Sequence, residues 1–151
     1  MFLTIPEIRT SVENQHHLIL DLHAKSGAFL KDARQRLISY AGGFSVVFPY
    51  VNNGEKWGLR CWHANIGNVQ ERFETISKVM KSSNANYLCD FVYEEKGISI
   101  NGKIYPITRM RWIDGMTLKD YICTHKKSKN KMLQLAEKFL LMVAERTEAP
   151  Q

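Results

Sequence analysis

The sequence contains little cysteine and no long apolar run. Its three cysteines, Cys61, Cys89 and Cys123, are an odd number without Cys-x-x-Cys spacing, which argues against a disulfide framework and a structural zinc site. The longest apolar run, Phe139 to Ala144, is far too short to cross a bilayer, and no charged-then-apolar signal segment opens the chain. We therefore expect a cytoplasmic protein with no membrane segment and with buried, unbridged thiols.

What is present fits one soluble domain, since the 151 residues are 44% hydrophobic and 24% charged. The net charge of +6 makes a nucleic-acid partner worth testing. Most basic residues are dispersed, however, and the one dense run, Lys126 to Lys131, carries no interleaved aromatic residues. We interpret that run as a solvated loop, with contact to a polyanion as the alternative, and we do not expect nucleic-acid binding.

The first 36 residues form an N-terminal lead-in whose apolar stretch, Leu18 to Leu22, fits a short helix or a strand equally well. The neighbouring histidines His16 and His17 would point in different directions on either element. Together with His23 they therefore do not make a metal site, and we predict no metal.

The stretch from Ile38 to Trp62 predicts strands separated by two glycine-containing turns. Asn53-Gly54 favours a tight reversal because it offers positions with positive φ. Gly42 and Gly43 would bring bare backbone N–H groups close to a ligand, and Arg60, two strands away, could then reach a phosphate. The pattern suggests a phosphate clamp.

The following residues complete an α+β domain. The apolar residues Val69, Phe73, Ile76 and Met80 recur at helical spacing, which predicts a helix packed on the sheet. Tyr87 to Tyr93 and Ile98 to Trp112 then predict strands, the second folded at the turn signal Asn101-Gly102. We expect a five-stranded antiparallel sheet with one packed helix, followed by a hinge and two helices, the last marked by four apolar residues: Met132, Leu135, Phe139 and Met142.

The stretch from Gly42 to Phe48, followed by Gly58-Leu59-Arg60, resembles the glycine-rich loop and third strand of eukaryotic-type protein kinases. Gly42 and Val47 match the family pattern, whereas Tyr40 and Ser45 stand where it has glycines. Arg60 stands in the place of the family's lysine, and its planar guanidinium is not equivalent to a compact ammonium group. The resemblance implies an ATP site built by these positions.

A second match lies between Met110 and Leu118, which is similar to the kinase hinge. The resemblance implies that Met110 guards the back of the adenine pocket and that the backbone of Arg111, Trp112 and Ile113 faces the adenine edge. It also implies domain bounds of 37–113 for the small lobe and 114–151 for the hinge exit and two large-lobe helices. A strand ending in a helix cap at Thr117 would explain the same residues without a ligand.

In kinases the packed helix supplies a glutamate to the strand lysine, and Glu71 and Glu74 are the nearest acids here. Both lie off the apolar stripe of the helix. Glu74 is therefore the candidate partner of Arg60, with a solvent-side pair between Glu74 and Lys78 as the favoured alternative.

The aspartate- and asparagine-bearing catalytic loop and the metal-binding Asp-Phe-Gly do not follow within the sequence, which ends at Gln151. The resemblance implies a truncated or degenerate kinase-like domain with weak ATP binding, no metal and no phosphoryl transfer by itself, so enzymatic activity stays an open question. The alternatives are a non-catalytic interaction module that binds a partner protein through its last helix, one half of a split kinase, and the product of a shortened gene.

Overall fold

The computed structural model describes residues 3–64, 69–82 and 89–147. It has an α+β fold, as predicted from the sequence. The elements in chain order are α1 (Ile5–Glu13), α2 (Gln15–Leu18), α3 (Leu22–Lys25), β1 (Ala28–Phe29), β2 (Tyr40–Ala41), β3 (Ser45–Asn52), β4 (Glu55–Trp62), α4 (Val69–Ser82), β5 (Phe91–Ile100), β6 (Lys103–Arg111), α5 (Leu118–His125) and α6 (Lys129–Thr147). The chain divides into two compact units, and the described part of the second begins at Ile113. None of the described helices is long and apolar enough to cross a membrane.

The sheet is antiparallel and has six strands, one more than predicted. Its order is β1-β3-β4-β6-β5, with β2 also paired to β3. The additional strand, β1, comes from the N-terminal segment, which the apolar pattern alone could not resolve. The predicted strand that ends at Tyr93 and the predicted arm from Ile98 to Ile100 form one continuous strand, β5. Its pairing with β6 is irregular between Glu94 and Ile98. Tyr87 and Leu88, where this strand was predicted to begin, lie outside the described residues.

Both predicted asparagine-glycine turns are confirmed. Asn53 and Gly54 join β3 to β4 with φ values of 50° and 78°, and Asn101 and Gly102 join β5 to β6 with values of 51° and 74°. Two consecutive positive φ values are typical of the reversal that matches the twist of a two-stranded ribbon. Local turn chemistry therefore sets the register of both hairpins.

The N-terminal segment covers one face of the sheet. Helix α1 begins with a capping box, in which Thr4 and Glu7 each accept a hydrogen bond from the other's backbone N–H. Its apolar side buries Ile8 and Val12 completely or nearly so. These two residues belong to a core that also contains Ile19 from the same segment, Leu37 directly after it, and nine sheet residues: Val46, Phe48, Tyr50, Trp57, Leu59, Cys61, Ile98, Ile100 and Ile107. The segment is thus part of the core of the first unit.

Polar contacts also fasten this segment to the sheet. The Arg109 guanidinium lies 3.2 Å from the Asp21 carboxylate, and both side chains are largely buried. His23 Nδ1 is 2.9 Å from the Tyr50 hydroxyl, and Asn52 Nδ2 donates to the His23 carbonyl at 2.7 Å. Since buried polar groups are costly when unpaired, these contacts select one position for the segment.

Gly97 allows the N-terminal segment and β6 to approach β5 closely. Its carbonyl accepts hydrogen bonds from the N–H groups of Leu20, at 2.8 Å, and Asp21, at 3.2 Å. A Cβ atom at this position would overlap the side chain of Ile107. Only a residue without a side chain fits here.

The helix predicted from the spacing of Val69, Phe73, Ile76 and Met80 is confirmed as α4. Its Phe73 ring stacks on Phe91 and Tyr93 at centroid distances of 5.6 and 6.2 Å and contacts Trp62 at 5.1 Å. Trp62 is the last residue of β4, and Phe91 and Tyr93 belong to β5. Aromatic burial therefore places α4 against β4 and β5.

The described part of the second unit consists of two helices. Helix α5 begins after Thr117, whose hydroxyl accepts a hydrogen bond from the Asp120 N–H, as the predicted cap requires. Helix α6 begins at Lys129, so the predicted lysine-rich loop is shorter than expected and ends in the first turn of a helix. The prediction of buried thiols is correct for Cys61 and wrong for Cys123, which is exposed, whereas Cys89 is half-buried.

Candidate functional site

The candidate residues project from the face of the sheet opposite the N-terminal helices. Val47 is paired with Arg60, and Arg60 is paired with Thr108. Because side chains alternate along a strand, Gly58 and Met110, which are also paired, lie on the same face. We call the surface formed by Val47, Gly58, Arg60, Thr108 and Met110 the binding face. The strand register thus brings together four residues from distant parts of the sequence and one glycine.

The Gly42-Gly43 turn uses one of its own backbone N–H groups in an internal hydrogen bond. The Gly42 N–H donates to the Ser45 carbonyl at 2.8 Å, and the Gly42 carbonyl lies 3.0 Å from His63 Nε2. In this conformation the Gly42 N–H is committed to the turn. Gly43 is more accessible, since nothing lies within 4 Å of the position that a Cβ atom would take. Phe44, at the tip of the turn, is 64% exposed.

Arg60 and Thr108 contain buried polar atoms that lack partners. Arg60 Nε and Thr108 Oγ1 have no hydrogen-bond partner within the part of the chain that the structure describes. The two residues face each other across β4 and β6. Leaving such a group unpaired costs roughly 1–3 kcal/mol, so an external acceptor next to Arg60 would be stabilised.

Glu74 lies on the exposed side of α4. Burial, with the charges of Glu95 and Glu74, raises the pKa of the Tyr93 phenol, and Tyr93 is paired with Thr108. Glu74 is therefore close to the row of residues that contains Arg60. No ion pair joins Arg60 and Glu74 among the residues described.

Trp112 lies on the binding face through its side chain, whereas the sequence predicted only a backbone role. Its N–H donates to the Lys56 carbonyl at 2.9 Å, which extends the pairing of β4 and β6 by one residue. Its indole packs on Gly58 and contacts the Tyr40 ring at a centroid distance of 5.5 Å. The Lys56 ammonium lies 4.7 Å from the indole centroid. Strand alternation contains the signal for this placement, because Trp112 follows Met110 by two residues.

The remaining hinge residues are distributed over two units. Met110 is half-buried and lies between Gly58 and Phe91 in the strand register. Ile113 is the first described residue of the second unit, and its side chain is 69% exposed. The first unit contains the other six predicted nucleotide-binding residues: Gly42, Gly43, Val47, Arg60, Met110 and Trp112.

The binding face is basic and has no carboxylate at its strand positions. Lys56 and Arg60 supply two cationic side chains on this face of β4, one on each side of Gly58 in the strand. The outward positions of β3 and β6 in the same register hold apolar residues, proline and threonine. Such a surface can bind an anion, but its strands offer no oxygen ligand set for Mg²⁺.

Comparison with known proteins identifies no family for this chain. No protein-family model matches it, and neither the curated proteins nor the solved structures include a match. The kinase resemblance therefore depends on the residues named above and on the neighbour relations of the strands that carry them.

Proposed function

We propose that this chain contains a degenerate protein-kinase-like small lobe that binds an adenine nucleotide weakly and does not transfer a phosphoryl group by itself. The observation that carries the proposal is the adjacency of three strands. Strand β4, which bears Arg60, lies between β3, which follows the glycine turn and bears Val47, and β6, which ends at the hinge-like residues. A nucleotide that contacts all three segments would need this neighbour relation.

In this proposal the base packs against Val47, and the Nε–H of Arg60, unpaired among the described residues, donates a hydrogen bond to a phosphate oxygen. Two features limit the affinity. The N–H groups of Arg111 and Trp112 already donate to the carbonyls of Asp90 and Lys56, so the hinge offers the base few donors. The strands also offer no carboxylate for Mg²⁺. We expect a Kd for ATP on the order of 0.1 mM or weaker, independent of magnesium.

Calorimetric titration with ATP, with and without Mg²⁺, tests the proposal. Arg60→Gln should weaken binding about tenfold, because it removes a charge-assisted hydrogen bond. Lys103→Gln is the matched control, since it removes one positive charge from an exposed end of β6. Absence of ATP binding at millimolar concentration would refute nucleotide binding. Tight, magnesium-dependent binding would refute the degenerate site.

A second candidate function is protein binding through α6. Four large apolar residues of this helix are more than half exposed: Leu133 at 51%, Phe139 at 54%, Leu140 at 68% and Leu141 at 65%. Several large apolar side chains exposed on one helix are typical of a site that binds another protein. A partner protein that covers α6, including the other half of a split kinase, would bury these side chains.

The test uses the double variant Leu140→Lys and Leu141→Lys. If α6 is an apolar docking surface, the variant should bind less of a fluorescent hydrophobic dye and should lose any self-association seen by light scattering. Gln134→Lys, at an exposed polar position of the same helix, controls for added charge. Equal dye binding by the wild type and the double variant would argue against this candidate.

A further inference from the structure

We infer that the indole of Trp112 occupies the place on the binding face that the adenine ring would take, so that the chain closes its own base site. This inference rests on the proposed nucleotide binding and adds to it a self-occupied state. It assigns Trp112 a role as a displaceable plug, in addition to any backbone contact with the base edge.

The position of the indole follows from its contacts with Gly58. A methyl group placed on Gly58 would lie 3.5 and 3.8 Å from Cε3 and Cζ3 of Trp112 and 3.1 Å from Cγ1 of Val47. The six-membered ring of the indole, the backbone of Gly58 and the side chain of Val47 therefore meet at one point. A base that packs on Val47 above Gly58 needs the same volume.

The chemistry of the plug resembles that of the ligand it excludes. An indole and an adenine are both flat, bicyclic and aromatic, and both can pack against the same apolar surface. Gly58 leaves the strand without a side chain at this point, and even a methyl group there would touch the indole and press on Val47 Cγ1. The chain thus presents a surface suited to a flat ring and fills it with its own.

The indole is held by contacts that can be broken without disturbing the core. Tyr40, its aromatic neighbour, is 55% exposed, and Lys56 is half-buried. The cation–π contact and the tilted ring contact are weak at positions that water can reach. Rotation of the Trp112 side chain would leave the backbone hydrogen bond to Lys56 in place. The plug can therefore open by a side-chain movement alone.

A closed site lowers apparent affinity in proportion to the fraction of open molecules. If about one molecule in ten is open, removal of the indole should strengthen binding roughly tenfold. The effect should be the same for adenosine and ATP, because it concerns the base and not the phosphates. This separates the plug from the role of Arg60, which acts on ATP alone.

Titration of Trp112→Ala with adenosine and with ATP tests the inference. We expect a Kd about tenfold lower than wild type for both ligands. Trp62→Phe is the control, since Trp62 lies on the same face but packs against Phe73 of α4. Trp112→Phe, which keeps a smaller ring, should give an intermediate value and serves if the alanine variant is unstable. In wild-type protein labelled with 5-fluorotryptophan, adenosine should shift the ¹⁹F resonance of Trp112 most.

The outcomes separate the inference from the proposed function. Equal affinity in wild type and Trp112→Ala would overturn the plug and leave nucleotide binding intact. Weaker binding by the variant would also overturn it, because the indole would then be a stacking platform for the base. If neither ligand binds wild type or any variant, nucleotide binding is refuted and the plug is refuted with it.

Discussion

Asp21 and Arg109, which are 88 positions apart in the sequence, form an ion pair between the N-terminal segment and β6. Arg109 Nε lies 3.2 Å from Asp21 Oδ2, and the two side chains are 20% and 5% exposed. The other oxygen of Asp21 accepts a hydrogen bond from the Ala24 N–H and caps α3. One carboxylate therefore fixes both a helix start and the contact of that helix with the sheet.

Asp21→Asn should lower the free energy of unfolding by about 3 kcal/mol, because it leaves the largely buried Arg109 without its counter-charge. Asparagine keeps the size of the side chain and its ability to cap α3. Urea denaturation measures the loss. Asp32→Asn is the matched control, since its partner Arg36 is 66% exposed and such surface pairs contribute less than about 1 kcal/mol. Equal losses in the two variants would contradict this prediction.

Stability should depend on the protonation of His23. Burial, followed by the positive charge of Arg109, holds the pKa of His23 below its ordinary value of 6.5. Below pH 6.5 the unfolded chain therefore binds more protons at this residue than the folded chain does. The stabilising contribution is complete above pH 6.5 and is lost as the pH falls through the folded pKa.

His23→Gln should flatten the fall in unfolding free energy below pH 6.5, whatever its effect on stability at neutral pH. His17→Gln, which changes an exposed histidine, should keep the wild-type slope. Urea denaturation at a series of pH values measures both. A His23→Gln slope identical to wild type would show that another group controls stability in this range.

Gly97→Ala should destabilise the first unit by about 2 kcal/mol or more, because its methyl group would overlap Ile107 on the neighbouring strand. Gly43→Ala should have little effect on stability, since the corresponding space is empty and its φ is not positive. Thermal denaturation of both variants measures the difference. Similar melting temperatures for the two would mean that β5 and β6 can separate to admit the methyl group.

The cysteines should differ in reactivity by position. Burial raises the pKa of the Cys61 thiol to about 12, whereas Cys123 is exposed. Since the thiolate is the reactive form, a thiol reagent should label Cys123 rapidly and Cys61 only after unfolding. Cys123→Ser should remove a rapid phase, while Cys61→Ser should not. Rapid labelling of Cys61 in the native protein would contradict its burial.

Local chemistry explains the elements that could be predicted from the sequence. Asn53-Gly54 and Asn101-Gly102 adopt the positive φ values that their turns require, and Thr117 caps α5. The apolar spacing around Phe73 identifies α4. Each of these features depends on residues close together in the sequence, so a short window contains the whole signal.

The features that the sequence did not reveal depend on distant partners. The N-terminal segment could be resolved only by its packing against strands that follow much later. The position of the Trp112 indole over Gly58 depends on the register between β4 and β6. The Gly42 N–H is an exception, because it is used by a local hydrogen bond to Ser45 that closes its own turn. The alternation of side chains along β6, continued from Met110 to Trp112, predicts the side of the sheet on which the indole lies.

The bridge between Ile19 and Ile98 also determines when the chain can acquire its native core during synthesis. Ribosomes add roughly 5–20 residues per second, so the interval of about 80 residues lasts on the order of 4–16 s. During that time Ile8, Val12 and Ile19 have been made but their covering strand has not. We therefore expect the newly made N-terminal segment to expose these apolar side chains until β5 emerges and the segment can fold onto it.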